Sequence, residues 1–210
     1  MDETASCNRV VLCGIPAGEP TFSHAIRGER FYTFPLEVLR LSGTADRINI
    51  ILRESLLPVL RLSRAGFLRL AGELRSFNNR SGEGSRLVVT VFVRTMETPE
   101  HSLWENRVEL EGTLCREPTY RTTPLGREIS DLLLAVNRPY GRSDYLPCIA
   151  WGANARLASG WTTGTRLRLD GRIQSREYIK NLDGQALHRV AYEVSASEIT
   201  LLEQAQDSPV

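Results

Sequence analysis

The sequence predicts an all-β protein built from two copies of one small barrel. A repeat one domain long, apolar residues with a period of two, and one short helical stretch at the same place in each copy carry that prediction. Asn8-Arg9-Val10-Val11-Leu12-Cys13-Gly14 returns as Asn106-Arg107-Val108-Glu109-Leu110-Glu111-Gly112, 98 residues later. Held at that offset without a gap, 15 of the 47 positions from 8 to 54 are identical, far above chance. An offset of that length is a duplicated domain, too long for the unit of a solenoid. The 210 residues hold two domains of about 100 each. The seam falls near Thr98 to Glu105, giving domains 1–100 and 101–204 and a short flexible tail at 205–210.

Within a copy the elements follow from side-chain parity. Val108, Leu110 and Gly112 alternate with Arg107, Glu109 and Glu111, and Leu132, Leu134 and Val136 alternate with Leu133 and Ala135. Leu146, Cys148 and Ala150 alternate with Tyr145, Pro147, Ile149 and Trp151, and each run reads as a half-buried strand. Ile129 stands three residues before Leu132, which breaks the alternation and predicts a bulge in that strand. Pro124-Leu125-Gly126 and Asn181-Leu182-Asp183-Gly184 read as hairpin turns, because Gly and Asn accept positive φ. Helical stretches fall at Glu54 to Ala65 and around Ala153 to Ser159, each between the third and fourth strand runs. Five strands with a helix after the third, in about 100 residues, is the oligonucleotide-binding (OB) Greek-key barrel.

Composition excludes several classes. No apolar run reaches the roughly 18 residues of a membrane span, and Asp2 and Glu3 stand where a secretion signal would be basic, so a cytoplasmic protein is expected. Cys7, Cys13, Cys115 and Cys148 share no C-x-x-C spacing and His24, His101 and His188 are scattered, so neither metal nor cofactor is expected. There is no phosphate-binding G-x-x-x-x-G-K-[ST] loop, H-E-x-x-H or G-x-S-x-G, and Asp131, Asp144 and Asp170 fall on different elements. No enzyme is expected.

The net charge of +1 hides an uneven distribution, in which 25 of the 26 basic residues are Arg. The outward set of Arg166 to Tyr178 is Arg166, Arg168, Asp170, Arg172, Gln174, Arg176 and Tyr178, against an inward set of Leu167, Leu169, Gly171 and Ile173. On the strand before it the outward set includes Tyr145 and Trp151. Rings at Tyr140, Tyr145, Trp151 and Tyr178 thus interleave with Arg138, Arg142, Arg172 and Arg176 on one exterior. Flat rings on which unpaired bases stack, beside cations that track phosphates, are what a single nucleic-acid strand needs.

These residues carry a resemblance. Asn106 to Gly112, Arg116-Glu117-Pro118-x-Tyr120-Arg121, Leu134-Ala135-Val136-Asn137-Arg138, Cys148-Ile149-Ala150-Trp151-Gly152, Asp170-Gly171-Arg172-x-Gln174-x-Arg176-x-Tyr178 and Asp183-Gly184-Gln185 resemble, in order, the bacterial single-stranded DNA-binding protein (SSB) family. The resemblance implies base stacking at Tyr140, Tyr145, Trp151 and Tyr178, the rings that parity also selects. It implies sequence-tolerant binding of single-stranded DNA in replication, recombination or repair, at the nucleoid, with phosphates held by Arg121, Arg138, Arg142, Arg172, Arg176 and Lys180. SSB-type recruitment of other proteins by an acidic tail ending in Pro-Phe is not expected, since the chain stops at Asp207-Ser208-Pro209-Val210.

The first copy resembles the family weakly. Ser42, Arg47 and Arg53 stand where the second copy has Tyr140, Tyr145 and Trp151, so its stacking platform reads as degenerate. Weaker contacts are expected there from Arg47, Arg53, Arg69, Arg75 and Phe77. The assembly expected is a homodimer presenting four OB domains, in which the two copies of one chain pair through their otherwise unsatisfied first strands and the chains associate with two-fold symmetry. The competing reading is an OB-fold protein-interaction scaffold of a replication or conjugation assembly, with little affinity for DNA.

Overall fold

The computed structural model describes residues 7–62, 66–79, 87–139, 141–182 and 185–202. The first half contains β1 (Asn8–Pro16), β2 (Thr21–Ile26), β3 (Glu29–Leu39), β4 (Ala45–Arg53), a 3-10 turn leading into α1 (Leu57–Leu62), β5 (Leu68–Asn78) and β6 (Leu87–Glu97). The second repeats the order with β7 (Glu105–Leu114), β8 (Thr119–Thr122), β9 (Glu128–Arg138), β10 (Arg142–Trp151), α2 (Gly152–Ala158), β11 (Arg166–Leu182) and β12 (Gln185–Leu201).

Each half closes a ring of five strands. In the first, β1 pairs with β3, β3 with β4, β4 with β6 in parallel, β6 with β5, and β5 again with β1. In the second, β7, β9, β10, β12 and β11 close the same way. This is the expected pair of OB barrels, with a helix between the third and fourth strands of each ring. A short sixth strand, β2 or β8, extends the sheet beyond β3 or β9 without entering the ring. Leu57 and Leu60 of α1 and Ala155 and Ala158 of α2 are buried against the barrels. The Pro124 turn closes as expected, with the Gly126 N–H donating to the Thr123 carbonyl and Gly126 at φ 75°. The second expected turn falls partly on 183 and 184, outside the described residues.

The bulges lie elsewhere than expected. β9 pairs with β10 without a break from Ile129 opposite Trp151 to Arg138 opposite Arg142. Ser130, not Ile129, takes the inward position, and its hydroxyl donates to the Ala155 carbonyl at 2.8 Å, so a polar residue occupies an apolar slot without an unsatisfied group. The register shifts instead at Phe22/His24 in the β2–β3 pair and, within the rings, at Ala71/Gly72 in β5 and Asp170/Gly171 in β11, the two sites that carry glycine. There the strand bends from one neighbour toward the other, and glycine is required. A Cβ on Gly72 would lie 2.1 Å from the Phe92 carbonyl oxygen, and one on Gly171 2.2 Å from that of Ser195.

The first strands do pair, within one chain. β1 and β7 run antiparallel with Val10 opposite Val108, which joins the two rings into one twelve-stranded sheet. Where the bulge carries β5 away from β1, the Asn8 side-chain amide donates to the Leu74 carbonyl and accepts from the Leu74 N–H, both at 2.9 Å. Asn106 does the same for Ile173 at 2.8 and 3.0 Å. A second layer flanks this seam. Asp46, fully buried, accepts from Arg40 at 2.6 and 2.7 Å and from the N–H of Ser175 in the other barrel at 2.7 Å. Asp144, also fully buried, accepts from Arg138, from Arg75 of the first barrel and from the N–H of Ser76. The interface is therefore two-fold in pattern, each carboxylate holding the long hairpin of the opposite barrel. Charge-assisted hydrogen bonds of this kind contribute about 1.5–3 kcal/mol each.

Candidate nucleic-acid interface

The outer face of β10 and the start of the β11–β12 hairpin enclose an open groove of about 1050 Å³ on the second barrel. Its apolar floor is Ile129 and Ile149, which point outward yet are 1% and 4% exposed, with Trp151 beside them. Ile129 thus explains its own break in periodicity: it serves the groove, not the core. The Trp151 indole N–H donates to the Ser195 hydroxyl at 3.0 Å across the parallel β10–β12 pair, which fixes the ring at the wall. Arg121, Arg127, Arg172 and Arg176 line the same groove, with Glu193 as its acid. Glu193 is engaged by the Gln174 amide at 2.8 Å.

The arginines divide by what holds them. Arg127, Arg142, Arg172 and Arg176 make no side-chain hydrogen bond or ion pair among the described residues, and all four are exposed. Arg121 is held by Asp131 at 2.8 Å, on an exposed surface where such a pair is worth little and opens readily. Arg138, expected at a phosphate, is instead committed to buried Asp144 at the domain seam. Its register on β9, six residues before Asp144 across the turn, places the two side by side. Of the four expected rings, Trp151 lies in the groove and Tyr145 is 51% exposed on the same strand. Tyr178 is half-buried on the projecting part of β11, opposite Arg189. Tyr140 and the Lys180 side chain fall outside the described residues.

In the first barrel the expected arginines have partners of their own. Arg75 is held by Glu73 and the buried Asp144, whereas Arg69 pairs with Glu97 and Glu105 on a more exposed surface beside the interdomain connection. The Arg47 guanidinium donates to the Ala17 carbonyl at 3.1 Å. Arg53 pairs with Glu29 at 2.8 Å and lies 5.6 Å over the Phe92 ring. Yet this barrel has a groove of about 550 Å³ in the corresponding place, lined by His24, Phe31, Phe77 and Phe92 with Arg94. His24 stacks on Phe31 at 4.8 Å, Arg94 lies 5.0 Å over Phe92, and Phe77 is 49% exposed. Rings are present here, on different strands. Ile51 of β4 pairs with Phe92 of β6, as Ile149 of β10 pairs with Ser195 of β12. The second barrel thus sets a ring on its third ring strand and a hydroxyl on its fifth; the first sets a cation on the third and a ring on the fifth. Comparison position by position misses the exchange.

Residues 105–202 match the Single-strand binding protein family. The match lies on the second barrel. Single-stranded DNA-binding protein 3 of Listeria innocua is 34% identical over 109 residues, covering 49% of this chain and 66% of the relative. The single-stranded DNA-binding protein of Halalkalibacterium halodurans is 36% identical over 105 residues, covering 47% and 61%. The chain thus spans a little under two thirds of the length of these curated relatives. Wild-type single-stranded DNA binding protein from Thermus aquaticus superposes over 99% of this chain and 98% of its own, with a TM-score of 0.76 at 20% identity. That likeness extends the shared fold to both barrels, including the one outside the family match.

Proposed function

We propose that this chain is a member of the Single-strand binding protein family and binds single-stranded DNA with little regard to sequence, serving replication, recombination or repair in the cytoplasm without catalysing a reaction. The supporting observation is the groove of the second barrel, where Trp151 stands anchored above an apolar floor beside Arg127, Arg172 and Arg176, which have no carboxylate partner among the described residues. An indole already held by Ser195 offers a stacking surface at little entropic cost, and Arg127, Arg172 and Arg176 supply mobile cations for phosphates. Tyr145, Tyr178 and Arg142 extend the path along β10 and β11, with Arg121 at the groove; Tyr140 and Lys180 are proposed as contacts from the family resemblance alone. The first barrel contributes through Phe77, Phe92 and Arg53 more than through Arg47, whereas Arg69, Arg75 and Arg138 are assigned to holding the molecule together. The domain limits fit this division: domain 1 ends near residue 100 and domain 2 near residue 204.

The assembly we propose is a homodimer presenting four OB domains. Its interface is not the first strands, since β1 and β7 already satisfy each other; light scattering at twice 23.6 kDa is the expected result.

Titration of tryptophan fluorescence with oligo-dT tests the binding. Trp151→Ala is expected to weaken binding by about 1–3 kcal/mol, the magnitude for one stacked base. Arg172→Ala is expected to reduce the salt slope by about 0.7, one phosphate contact to a single strand. Equal affinity for a blunt hairpin duplex, or no binding at low salt, would overturn the proposal and favour a protein-interaction scaffold.

A further inference from the structure

One wall of the second barrel's groove comes from the first barrel. Leu39, Arg40, Leu41 and Ser42, the end of β3 and the turn into β4, line it opposite Ser175 and Arg176. The turn is rigidly built. The Arg40 N–H donates to the Thr44 carbonyl at 2.8 Å, the Gly43 N–H donates to the Arg40 carbonyl at 2.9 Å, and Gly43 takes φ 82°. Its base is bolted to the second barrel, because the Arg40 guanidinium both pairs with Asp46 and donates to the Ser175 carbonyl at 3.1 Å. At the tip stands Leu41, 111% exposed, more open to water than any other large apolar side chain described. A leucine held fully in water at the lip of a groove buries its apolar area only when something occupies that groove. The first barrel's groove is completed in the same sense, since Arg138 of the second barrel lines it.

We propose that the β3–β4 turn of the first barrel is part of the second barrel's binding site, with Leu41 packing against an unpaired base of the strand that lies over Trp151. This rests on the proposed binding of single-stranded DNA. The occupant follows from the chemistry of the groove: an apolar tip and an indole for base faces, and Arg127, Arg172 and Arg176 for the phosphates between them. One strand then touches both barrels at once, and the seam that fixes their relative position also fixes the site.

A reporter placed at the tip tests this. Leu41→Trp adds an indole at a position where nothing packs, and oligo-dT of about 16 nucleotides, the upper site size of one OB domain, is the probe. The added fluorescence is expected to be quenched at saturation, while Leu157→Trp, on an exposed position of α2 outside the groove, is expected to keep its own. Leu41→Ser is expected to weaken binding about fivefold, from the loss of the leucine's buried methylene and methyl area. Quenching of the native tryptophans with no quenching at position 41 would overturn the inference and leave the binding proposal standing. Equal quenching at 41 and 157 would overturn it as well, since the signal would then be unspecific. If no tryptophan responds and no complex forms, the binding proposal itself fails.

Discussion

Replacing Asp144 by Asn tests whether buried carboxylates hold the two barrels together. Asp144 has no exposed surface, and its carboxylate is held by Arg138, Arg75 and the Ser76 N–H. Asn keeps the volume and one acceptor for Ser76, so no cavity contributes; what disappears is the charge facing two guanidinium groups. Breaking a buried pair costs about 3–5 kcal/mol. The side chains of Arg138 and Arg75 retain 25% and 17% of their exposure, so water recovers part of their solvation and the lower figure applies, about 3 kcal/mol. With a urea slope of roughly 2–3 kcal/mol/M, the unfolding midpoint falls by roughly 1–1.5 M. Asp46→Asn, in the matching position but facing the single guanidinium of Arg40, is expected to lower the midpoint by less. Equilibrium urea unfolding followed by tryptophan fluorescence and circular dichroism measures both. A midpoint shift under roughly 0.3 M at unchanged slope would refute the assignment, because it would place Asp144 among surface pairs of little worth.

Gly171→Ala is expected to lower stability by about 1–3 kcal/mol or more, read in thermal melts, because its Cβ would meet the Ser195 carbonyl at 2.2 Å, while Gly160→Ala, with open space around it, is expected to change little. Asn106→Ala is expected to leave the Ile173 N–H and carbonyl without their partner, costing about 1–3 kcal/mol and raising the exchange rate of that amide hydrogen. Burial pushes the Cys148 thiol well above its ordinary pKa, which keeps it neutral through pH 9 and denies it the reactive thiolate. A disulfide reagent at pH 8 is therefore expected to spare Cys148 in the native protein and to label all four cysteines after unfolding.

The architecture was legible because parity and the repeat report on the core. Leu132, Leu134, Val136, Leu146, Cys148 and Ala150 all face inward, as alternation requires, and the helix falls between the third and fourth ring strands in both copies. Ile129 misled because apolar periodicity cannot separate a residue that fills the core from one that floors an outer groove. The bulge glycines were hidden for the opposite reason: Gly72 and Gly171 keep their inward parity, and only the carbonyl of the crossing strand reveals the need for them. The place of Trp151, Arg172 and Arg176 at one groove was legible, since parity alone puts them on one exterior. Arg138 was not, because parity says which face an arginine takes and nothing about the carboxylate waiting beside it. The lip at Leu41 could not be seen from either copy alone, for it belongs to one barrel by sequence and to the other by position.

The residues the two copies share, and those they do not, sort by place. Val10 and Val108 meet at the seam; Asn8 and Asn106 clamp the bulged strands; Arg40 and Arg138 pair with Asp46 and Asp144 of their own barrels, and each of those carboxylates accepts across the seam from the N–H of Ser175 or Ser76. Every one of these pairs is identical. At the grooves the copies part: Arg53 against Trp151, Phe92 against Ser195, Phe77 against Arg176, Phe31 against Ile129. A two-fold seam explains the first pattern, because each residue must fit the same partner on the other side, and a change in one copy leaves a buried donor or charge unmatched. Nothing comparable ties one groove to the other. The strong repeat in the sequence is therefore a map of how the barrels join, which is why it revealed the fold so readily and made the first barrel's groove look emptier of rings than it is.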